Sequence, residues 1–329
     1  METHLTDVTL KSGEPMRIVR IDAPDPVWKD RILPFLQHKG DPWLWQMEVA
    51  LGEGLGECAQ HYYLGVLEGG EVVGNIMTTE SMQPPIGILG HVFTPPEHRR
   101  KGICSRLMEA LTEDFRARDG RAMFLHTGYD SPPYHIYAAW GFKGYRRTGA
   151  MAWVLEEGFW RKQFAPRPVH VRETDWADWA PLEALSWVDT GWHLRSVFLG
   201  IYGFGGFEGH YIRVQEALRG GRLMDFRVLA AEDGAVAGYA LLGRLRSFPG
   251  EPLVLDMFVH PDFVKHATEL AQAIEIPPGE RTLAFADSAS VGKLEALAAA
   301  GLAQEASLRG LLTDERGNLL DLLILSRGS

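Results

Sequence analysis

Short apolar runs with strand-like alternation and longer runs with helical spacing follow one another along the first half of the chain. Alternation with a period of about 2 is typical of a strand with one buried face, and apolar residues three and four positions apart indicate an amphipathic helix. The sequence therefore predicts helices at 27–37, 43–51, 105–118 and from 134 onwards, and strands at 16–21, 61–67, 71–78, 86–94, 122–127 and 151–155.

The second half of the chain repeats this order. It predicts helices at 176–188, 264–274 and 291–300, and strands at 169–172, 226–231, 235–242, 253–259, 283–286 and 319–325. A repeat at about half the chain length indicates two copies of one fold. We therefore predict an α/β (α+β) protein with domains at 1–158 and 169–329, joined by a proline-containing linker at 159–168.

Composition fits this division. The chain has 329 residues with 46% hydrophobic side chains, enough for two cores at about 150 residues per domain. The two cysteines, Cys58 and Cys104, exclude a disulfide framework and a four-cysteine zinc site, and we expect no metal. The first residues lack the features of a signal peptide, and no apolar run is long enough to span a bilayer, so we expect a cytoplasmic protein.

A basic turn lies between the predicted strand at 86–94 and the predicted helix at 105–118. Its sequence is Arg99-Arg100-Lys101-Gly102-Ile103-Cys104. A turn that opens a helix presents unpaired backbone N–H groups and the positive helix end, and small residues such as Gly102 and Cys104 allow close approach. This pattern predicts a phosphate cradle; the alternative is a solvated basic helix start.

Two motifs in sequence resemble the GNAT superfamily of acetyl-CoA-dependent N-acetyltransferases. The first is Arg-x-x-Gly-x-small at 99–104, preceded by Pro-Pro-Glu-His; the family pattern ends in Gly or Ala, and Cys104 departs from it. The second is Tyr137, four residues before the pair Gly141-Phe142. The resemblance implies two tandem GNAT-like domains, each with a mixed, mostly antiparallel central sheet flanked by helices, and acetyl-CoA as co-substrate.

The resemblance also implies roles for individual residues. Backbone at 92–94 would pair with the pantetheine arm, the 100–105 amides would hold the pyrophosphate, and Tyr137 would protonate the departing thiolate. A buried core tyrosine is the alternative for Tyr137, and Tyr134 is the reserve candidate. Asp130 stands where many family members carry a cofactor-contacting Asn, although helix capping explains it equally well. The predicted cofactor-binding residues are Val92, Phe93, Thr94, Arg99, Arg100, Lys101, Gly102, Ile103, Cys104, Ser105, Asp130 and Tyr134.

The sequence does not assign a general base. Glu80, His91, His126 and the carboxylate of Ser329 are conceivable, and a water chain would also serve. The resemblance implies that the face holding Ile88, Gly90 and Val92 is aimed at the acceptor, and strict alternation turns His91 away from it unless a bulge intervenes. A core or edge histidine is therefore favoured at that position.

The resemblance also implies that the segment 37–57 forms one side of the cleft that binds the acceptor, because the early helices of the GNAT fold cover that cleft. Its aromatic and acidic side chains suit a cationic group, while core tryptophans beside a solvated acidic face are the alternative. These side chains are Trp43, Trp45, Glu48, Glu53 and Glu57.

The second half lacks both motifs. Its segment 259–266 has no glycine and no arginine pair, and Leu297 stands four residues before Gly301, where the first half has Tyr137. We therefore predict one working copy and one degenerate copy.

The predicted function is transfer of acetyl from acetyl-CoA to a primary amine of a small molecule or peptide, by direct attack in a ternary complex. The alternative is a non-catalytic acyl-CoA-binding scaffold or sensor. The net charge of −10 disfavours nucleic-acid binding through the basic turn, and we expect no membrane partner. A homodimer is left open.

Overall fold

The computed structural model describes residues 1–246, 249–314 and 316–328. The chain forms two compact units, Met1–Phe159 and Trp160–Ser329. A short helix, α5 (Phe159–Gln163), occupies the first part of the segment for which the sequence predicts a linker.

The first unit contains an eight-stranded sheet in the order β1-β2-β3-β4-β5-β6-β8-β7. Its strands are β1 Glu2–Thr9, β2 Pro15–Asp22, β3 Ala59–Leu67, β4 Val72–Ser81, β5 Ile86–Phe93, β6 Ala122–His126, β7 Lys143–Gly144 and β8 Ala150–Val154. Its helices are α1 Pro26–Leu36, α2 Trp43–Gly52, α3 Ile103–Ala117 and α4 Pro132–Ala139. Neighbouring strands are antiparallel except β5 and β6, which are parallel.

Helices cover both faces of this sheet. On one face, α3 and α4 pack through buried residues such as Leu111, Phe115 and Tyr137. On the other face, α1 and α2 pack through residues such as Ile32 and Met47. The amphipathic pattern of each helix therefore matches one apolar face of the sheet, as burial of apolar surface requires.

The second unit contains a seven-stranded sheet in the order β16-β17-β15-β14-β13-β12-β9, and a separate pair, β10 and β11. Its strands are β9 His170–Glu173, β10 Leu194–Ser196, β11 Ile201–Tyr202, β12 Leu223–Ala230, β13 Val236–Arg244, β14 Leu253–Val259, β15 Thr282–Asp287, β16 Ala303–Thr313 and β17 Leu319–Arg327. Its helices are α6 Trp179–Ser186, α7 Glu208–Arg219, α8 Ala267–Gln272 and α9 Val291–Ala299.

The seven-stranded sheet repeats the order of β2 to β8 in the first unit. Here too neighbouring strands are antiparallel except one parallel pair, β14 and β15. Two mixed, mostly antiparallel sheets flanked by helices confirm the predicted fold class, and they are consistent with two GNAT-like domains.

Candidate active site

The parallel strands β5 and β6 separate soon after they begin. They pair only at Ile86–Ile88 and Ala122–Phe124, and β6 continues against β8. In the part of the chain that the structure describes, the pairing partners of β5 beyond Ile88 lie on β4 alone. The edge of β5 that faces β6 therefore leaves backbone groups available in an opening between the two strands.

A β-bulge interrupts β5 beside this opening. Gly90 pairs with Met77 and Phe93 pairs with Asn75, so two residues of β5 face one residue of β4. His91 has a φ of 50°, and its carbonyl accepts a hydrogen bond of 2.7 Å from Asn75 Nδ2. A bulge adds one residue and so reverses the alternation of side chains.

The bulge places His91 on the face covered by α1 and α2. The His91 ring lies edge-on to Trp43 with centroids 5.1 Å apart. The Phe93 ring contacts His38 at 4.0 Å and Phe35 at 5.3 Å. A bulge thus intervenes, and His91 lies on the side predicted for the acceptor. The prediction that Val92 shares this side is wrong, because the extra residue turns Val92 towards the cluster on the α3 face.

His91 is held there as a neutral side chain. It is 8% exposed, and burial, aided by the nearby charges of Lys39 and His38, lowers its pKa to about 3. Its Nε2 has no hydrogen-bond partner among the described residues, and the same holds for Asn75 Oδ1 and both amide atoms of Gln46. Three uncharged side chains thus carry buried polar atoms without a hydrogen-bond partner among the described residues.

The basic turn has the geometry of an anion cradle. Arg100 and Gly102 have φ values of 65° and 89°, and α3 begins at Ile103 without a side-chain cap. The first bond of the helix runs from Arg106 N to Gly102 O, so the N–H groups at 103–105 are not used within the helix. Such amides at a positive helix end suit a pyrophosphate, and binding of a pyrophosphate at this turn stays a prediction.

The basic side chains of the turn differ in availability. Lys101 Nζ donates to Glu14 Oε2 at 3.0 Å, and the Lys101 carbonyl accepts from Lys11 N at 3.1 Å. Arg99 Nε donates to the Thr94 carbonyl at 3.1 Å. The turn between β1 and β2 therefore supports the cradle, and Lys101 would have to leave Glu14 before it could contact a phosphate.

The predicted acid lies on α4, which Ser131 caps through a bond from Tyr134 N. Tyr137 is 8% exposed, and its ring lies 6.0 Å from that of Phe142. Tyr137 and Ile103 belong to one buried cluster, against which Val92, Cys104 and Tyr134 pack. The structure thus brings the strand edge, the turn and both tyrosines together, although their roles stay predictions.

Asp130 lies apart from this cluster. It has a φ of 56° in an exposed turn, and its carboxylate lies 3.0 Å from His135 Nε2. Its predicted contact with the cofactor stays a prediction.

The other conceivable bases have different surroundings. Glu80 is 2% exposed on the α3 face of the sheet, where Arg118 donates to both of its oxygens and Thr78 Oγ1 donates at 2.7 Å. Both oxygens of this carboxylate are thus engaged in charge-assisted hydrogen bonds within the fold. His126 is exposed at the end of β6, and Ser329 lies outside the described residues.

The acidic residues of the segment 37–57 face solvent. Glu48 pairs with Lys29 at 3.2 Å and its side chain is 60% exposed, and Glu53 and Glu57 are exposed. Trp43 and Trp45 are half-buried. These positions favour the alternative of packed tryptophans beside a solvated acidic face over a cationic pocket.

A polar network lies beneath the carboxyl end of α3. Arg20 donates to Asp22 at 2.7 Å and to Asp114 at 2.6 Å, and His61 Nδ1 contacts Asp22 at 2.6 Å. Burial alone would raise the pKa of Asp22, but the bonds from His61 and Arg20 outweigh it and lower the pKa to about 2. The network therefore stabilises the ionised form of Asp22.

Asp22→Asn should remove a pH-dependent part of the stability. Because the folded pKa lies below the unfolded value of about 3.9, the contribution is complete above about pH 4 and disappears as the pH falls towards 2. We expect the variant to be less stable by about 2 kcal/mol at pH 7, with little difference near pH 2, in urea unfolding. The exposed Asp7→Asn is the control, and a pH-independent difference would contradict the argument.

Comparison with known proteins gives one family match. Residues 25–142, about a third of the chain, match the family model described as "Acetyltransferase (GNAT) family". This stretch contains both motifs, so the resemblance is confirmed for it. A comparison with curated proteins gave no match.

Solved structures similar to this chain include three acetyltransferases. Ribosomal-protein-alanine N-acetyltransferase from Brucella melitensis is 18% identical, with 49% of this chain and 99% of that chain covered and a TM-score of 0.38. Phosphinothricin acetyltransferase from Sinorhizobium meliloti in complex with acetyl-CoA is 17% identical, with 49% and 88% covered and a TM-score of 0.38. An N-acetyltransferase from Staphylococcus aureus is 13% identical, with 49% and 99% covered and a TM-score of 0.37.

The part of the chain that the structure describes contains neither a clustered metal site nor a membrane-spanning helix. Within 1–246, 249–314 and 316–328, no group of three or more His, Cys, Asp or Glu side chains could hold a metal ion. No helix in these same ranges combines the length and apolar character that crossing a bilayer requires.

Proposed function

We propose that this protein is an acetyl-CoA-dependent N-acetyltransferase that acts on a primary amine of a small molecule or peptide. The observation that carries the proposal is the opening between β5 and β6, which adjoins the turn of unused amides and the cluster containing Tyr137. The family match over 25–142 supports acetyl transfer in general. We also propose that the acceptor is an amine and that it attacks acetyl-CoA directly in a ternary complex.

Each part of the site has a chemical task. Acetyl-CoA supplies an acetyl group activated as a thioester. The free edge of β5 at 89–93 pairs with an extended chain, and its N–H groups polarise a carbonyl placed beside them. The amides at 103–105 bind diphosphate.

The proton balance involves Tyr137. As the amine nitrogen forms its bond to the acetyl carbon, the C–S bond breaks and its electron pair stays on sulfur. The Tyr137 hydroxyl then donates a proton to that sulfur, and the nitrogen loses its own extra proton to water, from which the tyrosine recovers its proton. A phenol with a pKa of about 10 is suited to this exchange with a thiolate.

The unpartnered buried polar groups on the acceptor side are uncharged. His91, Asn75 and Gln46 offer hydrogen bonds without a buried charge, so we propose an acceptor whose amine enters neutral and carries a hydrogen-bonding group nearby. Accordingly, the amine must lose its proton before or during entry, at a cost of about 4–5 kcal/mol for an alkylamine at pH 7.

His91→Leu is expected to raise the KM of the amine about tenfold and to leave the Kd of acetyl-CoA unchanged. Because burial keeps His91 neutral above about pH 3, the variant should keep the wild-type pH profile between pH 6 and 9. Steady-state kinetics over this range checks both points. Loss of an ionisation near pH 6 to 7 in the variant would instead identify His91 as a titrating base.

The experiment that tests the proposed function is a panel of primary amines incubated with acetyl-CoA, with release of free thiol as the readout. Thiol release that depends on the amine, together with an acetylated product in mass spectra, supports the proposal. Binding of acetyl-CoA without release on any amine would support the alternative, a non-catalytic scaffold or sensor.

We further propose that the second unit is a degenerate copy. In place of the turn with two left-handed residues, β14 continues through a 3₁₀ helix, Pro261–His266, into α8, and no described residue between 260 and 267 has a positive φ. Leu297 is fully buried on α9.

We also propose a cytoplasmic location without nucleic-acid or membrane partners, in line with the net charge of −10, and a homodimer is left open.

A further inference from the structure

The parallel strands of the second unit also separate soon after they begin. β14 and β15 pair at Leu253 with Thr282 and at Val254 with Leu283. Beyond these pairs lie two buried carboxylates, Asp256 on β14 and Asp287 at the end of β15, which are 1% and 0% exposed. The second unit thus has an opening of the same origin as that between β5 and β6.

Residues 193–198 of the same unit bind side chains of both separated strands. On one side, the N–H groups of His193 and Leu194 donate to Asp287 Oδ2 at 3.1 and 3.2 Å. On the other side, Ser196 Oγ donates to Asp256 Oδ2 at 2.8 Å, and Phe198 N donates to the same oxygen at 2.7 Å. The segment therefore bridges the two separated strands.

A buried lysine closes the third side. Lys293 on α9 is 0% exposed, and its Nζ donates to the Leu194 carbonyl at 2.6 Å. Burial lowers the pKa of Lys293 to about 8, and attraction by the nearby carboxylates of Asp256 and Asp287 limits this shift. Removal of the segment would take these hydrogen bonds from the buried side chains of Asp256, Asp287 and Lys293, which is strongly unfavourable.

The two units differ in the connection that supplies the segment. In the first unit, the connection from β2 to β3 contains α1, α2 and a short 3₁₀ turn. In the second unit, the connection from β9 to β12 contains β10 and β11 between its helices. The additional strands provide the residues that enter the opening.

We propose that residues 193–198 are a built-in occupant of this opening, so that each chain binds one coenzyme molecule, in its first unit. The binding of one coenzyme in the first unit rests on the proposed function, whereas the occupancy of the opening in the second unit does not. A pantetheine arm would have to displace four hydrogen bonds to buried carboxylates. The second unit then acts as a folded support without a coenzyme site of its own.

Hydrogen exchange of the full chain without ligand tests the occupancy directly. We expect the amides of His193, Leu194 and Phe198 to exchange at least about 100-fold more slowly than exposed amides, because buried carboxylates accept their hydrogen bonds. Exchange at the rate of exposed amides would overturn the proposal.

Calorimetry and exchange with acetyl-CoA test the stoichiometry. We expect one molecule per chain, slower exchange at 89–105, and unchanged exchange at 253–259 and 282–290. Two molecules per chain with protection at 253–259 would overturn the inference and leave the proposed function standing. Slow exchange at 193–198 with no coenzyme bound would support the occupancy and refute the proposed function.

A mild variant separates occupancy from overall folding. Ser196→Ala removes the bond to Asp256 and the acceptor of Leu199 N, so the Leu199 amide should exchange about tenfold faster while one coenzyme still binds. Ser307→Ala, at an exposed position on β16, is the matched control. Equal exchange at Leu199 in both variants would count against the proposal.

Discussion

Replacing Tyr137 by Phe should lower kcat for acetyl transfer by about 10²–10⁴-fold and leave the Kd of acetyl-CoA within about twofold. The variant keeps the ring that packs beside Phe142 in the buried cluster, so the fold and the neighbouring turn are preserved. It loses the hydroxyl whose proton we assign to the departing sulfur. Single-turnover kinetics for kcat and calorimetry for the Kd measure the two effects separately.

Tyr134→Phe is the matched control for this variant. Tyr134 lies one turn earlier on α4 and packs against the same cluster. If Tyr134→Phe caused the loss of kcat and Tyr137→Phe did not, the acid would be Tyr134. Equal losses of kcat and of coenzyme affinity in Tyr137→Phe would contradict a role in proton transfer.

The second large effect is expected at Gly102. Gly102→Val should raise the Kd of acetyl-CoA at least about tenfold, equivalent to about 1.4 kcal/mol. A φ of 89° is strained for a β-branched residue, and the backbone can relax only by turning the amides at 103–105 away from their positions. Space is not the cause, because a Cβ at this position would meet Lys11 carbons at ordinary contact distances of 3.7 Å and more.

Gly70→Val separates backbone strain from binding. Gly70 has a φ of 85° in the turn between β3 and β4, with nothing within 4 Å of an added Cβ. Both variants should lose similar stability in thermal unfolding, whereas only Gly102→Val should weaken coenzyme binding in calorimetry. A similar Kd in the two variants would show that the turn does not bind the coenzyme.

Much of the fold could be predicted because buried elements show their period in the sequence. The strand predicted at 16–21 is Pro15–Asp22, and the helix predicted at 105–118 is Ile103–Ala117. Three edge strands, β1, β7 and β16, escaped prediction, as did the short strands β10 and β11 and the helix α7. The side chains of the three edge strands are mostly exposed and polar, so backbone pairing with β2, β8 and β17 determines their conformation.

The candidate site could be predicted only as far as local patterns carry information. The turn at 99–104 and the capped helix before Tyr137 depend on neighbours in sequence, and the structure contains both. The face occupied by His91 depends on a bulge that one strand alone does not specify. The ion pair of Glu80 depends on Arg118, which lies 38 positions away along the chain.

The hairpin of β1 and β2 supports the basic turn at 99–104, and this support has a practical consequence. A fragment cut to the family match at 25–142 would lack β1, β2, β7 and β8. It would expose the flank of β3 that pairs with β2 and leave Lys101 without Glu14 and the Lys11 amide. The stretch that matches the family is therefore shorter than the first unit, and expression of the first unit should include β1 and β2.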